Sequence, residues 1–168
     1  MHSTAYGMRI LGIDPGSRVT GYGVIDCRGS EIGFITCGTI RMQAERDFSQ
    51  RLFMIFEGLS KVIAEHRPEV VAVEDLFVAY NPRSALKLGQ ARGAAIVAAR
   101  QQRLPVFDYT PRKIKQDVAG YGQAEKSQVQ EMVRVLLELS ALPSSDAADA
   151  LAVALCHANH RYTTPFIG

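Results

Sequence analysis

The sequence is poor in cysteine, in net charge and in long apolar runs, and each shortage excludes a class of protein. Its three cysteines include no Cys-x-x-Cys pair, which argues against a disulfide framework or a zinc knuckle and for a reducing compartment. A formal net charge of +2 leaves no polybasic tail. No apolar run approaches the roughly 20 residues of a membrane span. We therefore expect a cytoplasmic protein that makes no use of a membrane.

What the chain does contain is enough material for one folded domain. Its 168 residues are 47% hydrophobic, which suits a single domain with a sizeable core. No internal repeat, low-complexity tract or linker divides it. Residues 1–7 are polar and unpatterned, so we expect them to extend from the domain without regular structure, and no signal-peptide pattern precedes Met8. The predicted organisation is one domain over residues 1–168.

A short apolar segment that ends at Asp14 is the first functional candidate. Residues 10–13 predict a buried strand, and Pro15 with Gly16 predicts a turn directly after it. In α/β folds the chemistry gathers at the carboxyl ends of strands, which is where Asp14 is expected. Asp-Pro-Gly alone is more typical of a plain turn, so a role for Asp14 depends on other acids that join it.

Two further strands are predicted over residues 20–27 and 32–40. Their short connections indicate an antiparallel meander with the first strand. Gly12, inside the first strand, marks a place where another backbone or a ligand comes close. Gly21 and Gly23, inside the second strand, more often mark close backbone approach than a phosphate cradle.

The second candidate acid, Glu74, ends a predicted strand that comes directly after a predicted helix. Apolar residues spaced by four and three predict a helix that begins after Asp47 and ends before Pro68. The near-continuous apolar run over residues 69–74 then predicts a parallel strand that is buried on both faces and ends at Glu74. A crossover returns this strand beside the first, so Asp14 and Glu74 are expected at the same sheet edge.

The remainder of the chain predicts one more strand and four more helices. The strand covers residues 104–109, and the helices cover 82–102, the segment between Thr110 and Gly120, 125–139, and a final stretch capped by Ser144 or Ser145. The predicted fold is an α/β sheet of five strands, three antiparallel and two parallel, flanked by helices. Gly89-x-x-x-Gly93 gives the long helix a small face that another helix can approach, inside the domain or across a dimer.

Two more acids, Asp146 and Asp149, are predicted on one face of the last helix. Their i, i+3 spacing places the Cβ atoms roughly 5–6 Å apart. Acids in a first turn also favour the helix dipole, which is the simplest alternative reason for their presence. Dipole compensation does not explain the surrounding alanines and Leu151, which predict a helix packed flush on the sheet. Two carboxylates at a buried edge repel one another unless a cation lies between them.

Four acids without a nucleophile indicate metal-dependent chemistry. The pattern suggests no histidine base for any nearby serine or cysteine, so acyl-enzyme chemistry is poorly supported. Carboxylate oxygens suit Mg²⁺ or Mn²⁺ better than zinc. Two such ions about 3.5–4 Å apart activate water and stabilise the leaving oxygen in a phosphoryl displacement. We predict that Asp14 bridges the ions and that Glu74, Asp146 and Asp149 complete their shells.

Five ordered motifs resemble those of the RuvC family, the Holliday-junction resolvases of bacteria, over about residues 8–157. They are IDPGSRVTGYG (13–23), VE (73–74), SALKLGQARG (84–93), AEKSQVQ (124–130) and DAADALA (146–152). The resemblance implies a ribonuclease-H-like fold, a homodimer and Mg²⁺-dependent paired nicking of four-way DNA junctions in homologous recombination and DNA repair. It also implies cooperation with a branch-migration motor, RuvA and RuvB.

The resemblance also assigns roles by position. The same four acids correspond to the catalytic, metal-binding carboxylates of the family. Phe77 matches a loop aromatic that is expected to stack on an unpaired base near the crossover. Lys115 and Lys126 match basic residues that contact the DNA backbone. Other basic residues, predicted from the sequence itself to line a phosphate path, are Arg83, Lys87, Arg92, Arg112 and Lys113.

Other interpretations are open at this point. A nuclease of the same fold that acts on RNA or nicked DNA would use identical acids. An actin-like nucleotide-binding protein shares the Asp-x-Gly turn but needs roughly twice this length, and a non-catalytic junction-binding subunit would not need four acids. His157 and His160, on the final helix, lie at least ~12 Å from Asp149 by helix rise and are not predicted to share its metals.

Overall fold

The computed structural model describes residues 7–75 and 81–161. Its strands are β1 (Met8–Asp14), β2 (Val19–Arg28), β3 (Glu31–Arg41), β4 (Val70–Glu74) and β5 (Val106–Tyr109). Its helices are α1 (Phe48–His66), α2 (Pro82–Gln101), α3 (Pro111–Ala119), α4 (Lys126–Leu136) and α5 (Ser145–His160). The predicted order of strands and helices is confirmed. In the part of the chain that the structure describes, none of the helices combines the length and the apolar character of a membrane span.

The five strands form one mixed sheet in the order β3-β2-β1-β4-β5. β1 and β2 pair antiparallel, as do β2 and β3, whereas β4 and β5 continue the sheet parallel to β1. The predicted combination of three antiparallel and two parallel strands is therefore confirmed. Because β4 returns beside β1 after helix α1, the carboxyl ends of β1 and β4 share one edge of the sheet.

Helices cover both faces of this sheet. Successive residues of a strand point to opposite sides, so the apolar central strands present side chains to both layers of helices. Leu11 and Ile13 of β1 pack with α1 and α2, whereas Ile10 packs with α3, α4 and α5. β4 divides in the same way, with Val71 and Val73 on the side of α1 and α2. All five side chains are buried. The central strands are thus enclosed on both faces, as their near-continuous apolar sequences predict.

Two element ends differ from the predicted ones for local reasons. The sequence predicts that α4 reaches residue 139, but the helix ends at Leu136, since Glu138 takes a left-handed φ of 54°. The fifth strand is predicted from residue 104, whereas β5 begins at Val106. Pro105 has no N–H to donate to a neighbouring strand, and its carbonyl accepts a hydrogen bond from Val71 N at 3.0 Å.

Candidate active site

Two of the predicted acids lie side by side at the carboxyl edge of the sheet. Ile13 of β1 pairs with Val73 of β4 in parallel register. The next residues along the two strands are Asp14 and Glu74, and both strands end there. The predicted meeting of these two strand ends is therefore confirmed.

Helix α5 reaches this edge because three glycines remove side chains from beneath it. A Cβ atom at Gly12 would lie 2.0 Å from the carbonyl oxygen of Ala150, and one at Gly21 would lie 2.0 Å from that of Asp146. A Cβ at Gly23 would come within 2.5 Å of the same helix. Cβ atoms do not approach other atoms so closely, so α5 can rest on the strand backbones only where these residues are glycine. The predicted close approach at these glycines is confirmed.

This tight packing carries the first-turn acids of α5 into the same space. Ser144 caps the helix by accepting a hydrogen bond from Ala147 N at 3.4 Å. Asp146 and Asp149 follow in the first turns, and both of their charges raise the pKa of Asp14. The structure thus brings together all four acids that the sequence singles out.

Burial and mutual repulsion limit the negative charge that this cluster can hold. Burial, followed by the charges of the other three acids, raises the pKa of Asp14 to about 8. Burial is also the main reason that the pKa of Glu74 and that of Asp149 are raised. A divalent cation among these oxygens would offset both effects, and hard cations such as Mg²⁺ and Mn²⁺ prefer carboxylate ligands. The donor set therefore fits the predicted metal.

Two lysines predicted to contact DNA border the acids. Lys126 Nζ lies 2.9 Å from Asp149 Oδ2, and this hydrogen bond, with the charges of the acids, raises the pKa of Lys126. The charge of Lys115, on α3, counteracts the burial that raises the pKa of Glu74. The sequence predicts a DNA contact for Lys126 but no ion pair with Asp149, which joins α4 to α5.

Three other basic residues predicted along a phosphate path have different surroundings. Arg83 and Lys87 lie on α2, and Arg112 lies on α3. Lys87 Nζ is 5.7 Å from the centroid of the Phe48 ring. Arg112 packs against Gly122, where a Cβ would lie 2.7 Å from Arg112 Cγ. Neither contact tests a role in DNA binding, so that role stays a prediction for all three residues.

The two remaining basic candidates are engaged within the protein. Arg92 forms an ion pair with Asp108, and Lys113 pairs with Asp117 at 3.3 Å. Such pairs reduce the positive charge that these two side chains offer to DNA.

The predicted aromatic loop, which includes Phe77, lies outside the described residues.

The histidines of α5 lie near the end of the helix that is far from the acids. His157 Nδ1 is 2.6 Å from the hydroxyl of Tyr109, and burial lowers the pKa of His157 to about 4. His160 Nε2 is 2.5 Å from Asp117 Oδ2. Both histidines thus have partners outside the acid cluster, which agrees with their predicted distance from its metals. The sequence does not predict the partners themselves.

Known proteins similar to this chain point to one family. The family model of crossover junction endodeoxyribonuclease RuvC matches residues 10–157. The RuvC protein of Geobacter sulfurreducens is 57% identical over 152 residues, which cover 90% of this chain and 93% of that protein. The RuvC protein of Halorhodospira halophila is 57% identical over 153 residues, which cover 91% of each.

Solved structures agree with these relatives. Thermus thermophilus RuvC in complex with a Holliday junction substrate has a TM-score of 0.87 at 37% identity, over 92% of this chain and 94% of that one. The yeast mitochondrial Holliday junction resolvase, at 14% identity, shares the fold with a TM-score of 0.65 over 95% of this chain and 83% of that one. The expected ribonuclease-H-like fold is confirmed. The matched motifs, the identity to relatives and the shared fold show that this chain belongs to the RuvC family of crossover junction endodeoxyribonucleases.

Proposed function

We propose that this chain is a cytoplasmic endonuclease that resolves Holliday junctions in homologous recombination and DNA repair, together with the RuvA and RuvB branch-migration motor. One observation carries the proposal, the convergence of four acids from distant parts of the chain: Asp14, Glu74, Asp146 and Asp149. Phosphodiester hydrolysis needs groups that orient a water molecule and offset charge on the leaving oxygen. Clustered carboxylates with basic neighbours are suited to that reaction and need no covalent intermediate.

Mg²⁺ is the cofactor that we assign to this cluster, with two ions per site and Mn²⁺ as a substitute. The donors are carboxylate oxygens, which these hard cations prefer. Asp14 is the proposed bridging ligand, because it stands between Glu74, at the end of the neighbouring strand, and α5, which rests on Gly21, the β2 partner of Asp14. The remaining ligands are Glu74, Asp146 and Asp149. When bound, the two ions supply activation of the attacking water and stabilisation of the leaving oxygen.

The two lysines supply positive charge where the DNA backbone has to pass. Lys126 holds its ammonium group 2.9 Å from Asp149 Oδ2, so it provides part of the cationic charge that the acids require. On DNA binding, we propose that Lys126 turns to a phosphate oxygen and releases Asp149 for the metal. Lys115, which acts on Glu74, is proposed to hold a neighbouring phosphate. Contacts of this kind position the DNA without reading its sequence.

Phe77 is proposed to stack on an unpaired base near the crossover. It follows Glu74 by three residues, so one short segment can present an aromatic ring beside the cleavage site. Base–aromatic stacking contributes about 1–3 kcal/mol, comparable with the cost of unstacking a strained junction base. Arg83 and Lys87 on α2 and Arg112 on α3 are proposed to line the phosphate path.

A homodimer is supported by the symmetry of the substrate and by one face of α2. A four-way junction needs two symmetric cuts, which two copies related by a two-fold axis supply. Leu86 and Val97 are 68% and 57% exposed on the helix face opposite the buried alanines. Within the described parts of the chain, a Cβ at Gly89 or Gly93 on that same face would meet nothing within 4 Å. We propose that this face packs against the α2 helix of a second copy.

Cleavage of a synthetic four-way junction tests the proposed function. With Mg²⁺, the protein is expected to nick the junction at two symmetric positions within the lifetime of one complex, and to leave linear duplex DNA and RNA–DNA hybrid largely intact. Chelation of Mg²⁺ should stop the reaction, because the carboxylates alone cannot activate water sufficiently. Denaturing gels with each strand labelled in turn measure both effects.

Three outcomes of this assay would count against parts of the proposal. Cutting of the RNA–DNA hybrid as fast as of the junction would favour a nuclease of the same fold with another substrate. Single nicks, uncorrelated between the two opposing strands, would contradict the homodimer. Undiminished cleavage after complete chelation would contradict the assigned metal.

A further inference from the structure

A second cluster of ligand-type side chains lies toward the other end of α5. Cys156 and His160 are one helical turn apart on α5, and Asp117 reaches them from α3. Cys156 Sγ lies 3.2 Å, and His160 Nε2 2.5 Å, from the same atom, Asp117 Oδ2. All three ligand atoms lie within 4.8 Å of one another. By helix rise, Cys156 is about 10 Å along the axis from Asp149, so this cluster is separate from the nuclease site.

Of the two carboxylate oxygens of Asp117, Oδ2 is the one that contacts Cys156 and His160. Lys113 Nζ pairs with the other carboxylate oxygen, Oδ1, at 3.3 Å. The ring of Tyr109 stacks on that of His160, with centroids 5.8 Å apart. The Tyr109 hydroxyl lies 2.6 Å from Nδ1 of His157, so this second imidazole is already engaged. The three side chains of the cluster offer an ion one oxygen, one sulfur and one nitrogen.

A cavity borders the cluster at Asp117, one of its three side chains. It has a volume of about 330 Å³, and its lining includes Ser30, Asp117, Leu155 and Asn159. Asn159 Nδ2 donates to the backbone carbonyl of Asp117 at 3.3 Å, which holds α3 against α5 at the edge of this cavity. An ion, and a water molecule that completes its coordination, can therefore reach Asp117 from solvent.

We propose that Asp117, Cys156 and His160 form a binding site for one divalent ion of the zinc class, distinct from the Mg²⁺ site. Thiolate and imidazole ligands favour zinc over magnesium, and the i, i+4 spacing presents both from one helix face. Tetrahedral zinc with bonds of about 2.0–2.3 Å places its oxygen, nitrogen and sulfur ligand atoms about 3.3–3.6 Å apart. The sulfur–oxygen distance of 3.2 Å is close to this range, and the imidazole needs to move by about 1 Å.

Without the ion, the same side chains form a hydrogen-bonded clamp in which the Asp117 carboxylate accepts from the thiol and the imidazole. Burial, followed by the interaction with Asp117, raises the pKa of the Cys156 thiol, so an ion has to displace a firmly held proton. The thiol proton leaves to solvent as the metal–sulfur bond forms. The proton on His160 Nε2 is exchanged through solvent for one on Nδ1, so His160 binds the ion through Nε2 as a neutral imidazole protonated at Nδ1. The bound ion would link α3 to α5, the helices that carry a DNA-contacting lysine and two of the catalytic acids.

Co²⁺ is a suitable probe, because a bond from a thiolate to Co²⁺ gives a charge-transfer absorption band that carboxylate ligands do not give. Titration of the wild-type protein is expected to produce this band with one equivalent per chain. Cys156→Ser should abolish the band. Cys37→Ser, which removes a half-buried thiol elsewhere, is the matched control and should keep it. Asp14→Asn should also keep the band, since it changes only the nuclease site.

Two further measurements distinguish a metal-binding site from a cluster that is only hydrogen-bonded. His160→Gln retains the thiol and should weaken Co²⁺ binding at least about tenfold, since a ligand is lost. Zn²⁺ should displace Co²⁺ and remove the band, whereas excess Mg²⁺ should not. Absence of the band in the wild type, or an undiminished band in Cys156→Ser and His160→Gln, would overturn the proposal and leave only the hydrogen-bonded clamp. The Co²⁺ titration does not measure junction cleavage, so its result is independent of the proposed nuclease function.

Discussion

Asp14→Asn is expected to lower Mg²⁺-dependent junction cleavage by about 10³-fold or more, because a metal site supplies several kcal/mol of transition-state stabilisation. Asp14 has the largest effect among the acids, since it is the proposed ligand of both ions. Junction binding is expected to persist, because the phosphate contacts proposed for Lys115 and Lys126 remain. Single-turnover cleavage rates and gel-shift affinities measured in EDTA report the two effects separately.

Asp26→Asn is the matched control for this change. Asp26 lies on β2 opposite the start of β1, where it pairs with Arg9 at 3.6 Å and Arg28 at 3.5 Å. Removal of its charge weakens two ion pairs at the end of the strands that is far from the acids, so cleavage should stay close to wild type. If Asp14→Asn abolished junction binding together with cleavage, Asp14 would be a structural residue rather than a metal ligand.

Gly21→Ala is the second change with a large expected effect, since it places a methyl group beneath α5. The added Cβ would lie 2.0 Å from the carbonyl oxygen of Asp146 and 2.5 Å from its carbonyl carbon. These are backbone atoms, so no side-chain rotation relieves the clash and the helix has to move. We expect a loss of about 3 kcal/mol or more in the free energy of unfolding, which lowers the melting temperature by roughly 6–12 °C.

The same movement is expected to carry Asp146 and Asp149 away from Asp14. A displacement of about 1 Å can lower a rate by about 10²-fold, so cleavage by the folded variant should fall by that order. Gly33→Ala on β3 is the control, because its Cβ would lie 3.9 Å from the carbonyl oxygen of Asp26, an ordinary van der Waals contact. Equal melting temperatures and rates for Gly21→Ala and the wild type would contradict the close packing of α5 on the strands.

The four clustered acids could be located from the sequence because each stands at a position with a strong local signal. β1 and β4 each consist of an apolar run that ends at an acid, and parallel pairing brings these ends together. Asp146 and Asp149 are three residues apart near a helix start, so they share one face. Gly12 and Gly21 mark where that helix approaches the sheet. Local pattern and the crossover rule therefore suffice for this part of the site.

Contacts between helices that are distant in the chain could not be predicted in this way. Lys126 and Asp149 form an ion pair across α4 and α5, yet no local pattern marks either residue as the partner of the other. Asp117 meets Cys156 and His160, which lie 39 and 43 residues farther along the chain, at spacings that match no known metal motif. Periodicity shows which face of a helix is apolar, but the packing of α3 and α4 on α5 decides which polar residues meet.

The central claim is that the four acids hold divalent ions over a phosphodiester. Its most direct test is the anomalous scattering of Mn²⁺ in crystals of the protein with an uncleaved junction. Two Mn²⁺ positions are expected about 3.5–4 Å apart, as in other two-metal sites, with both ions in contact with Asp14. The other ligands are expected to be Glu74, Asp146 and Asp149. Saturating Mn²⁺ that binds elsewhere on the protein and leaves these carboxylates without an ion would contradict the claim.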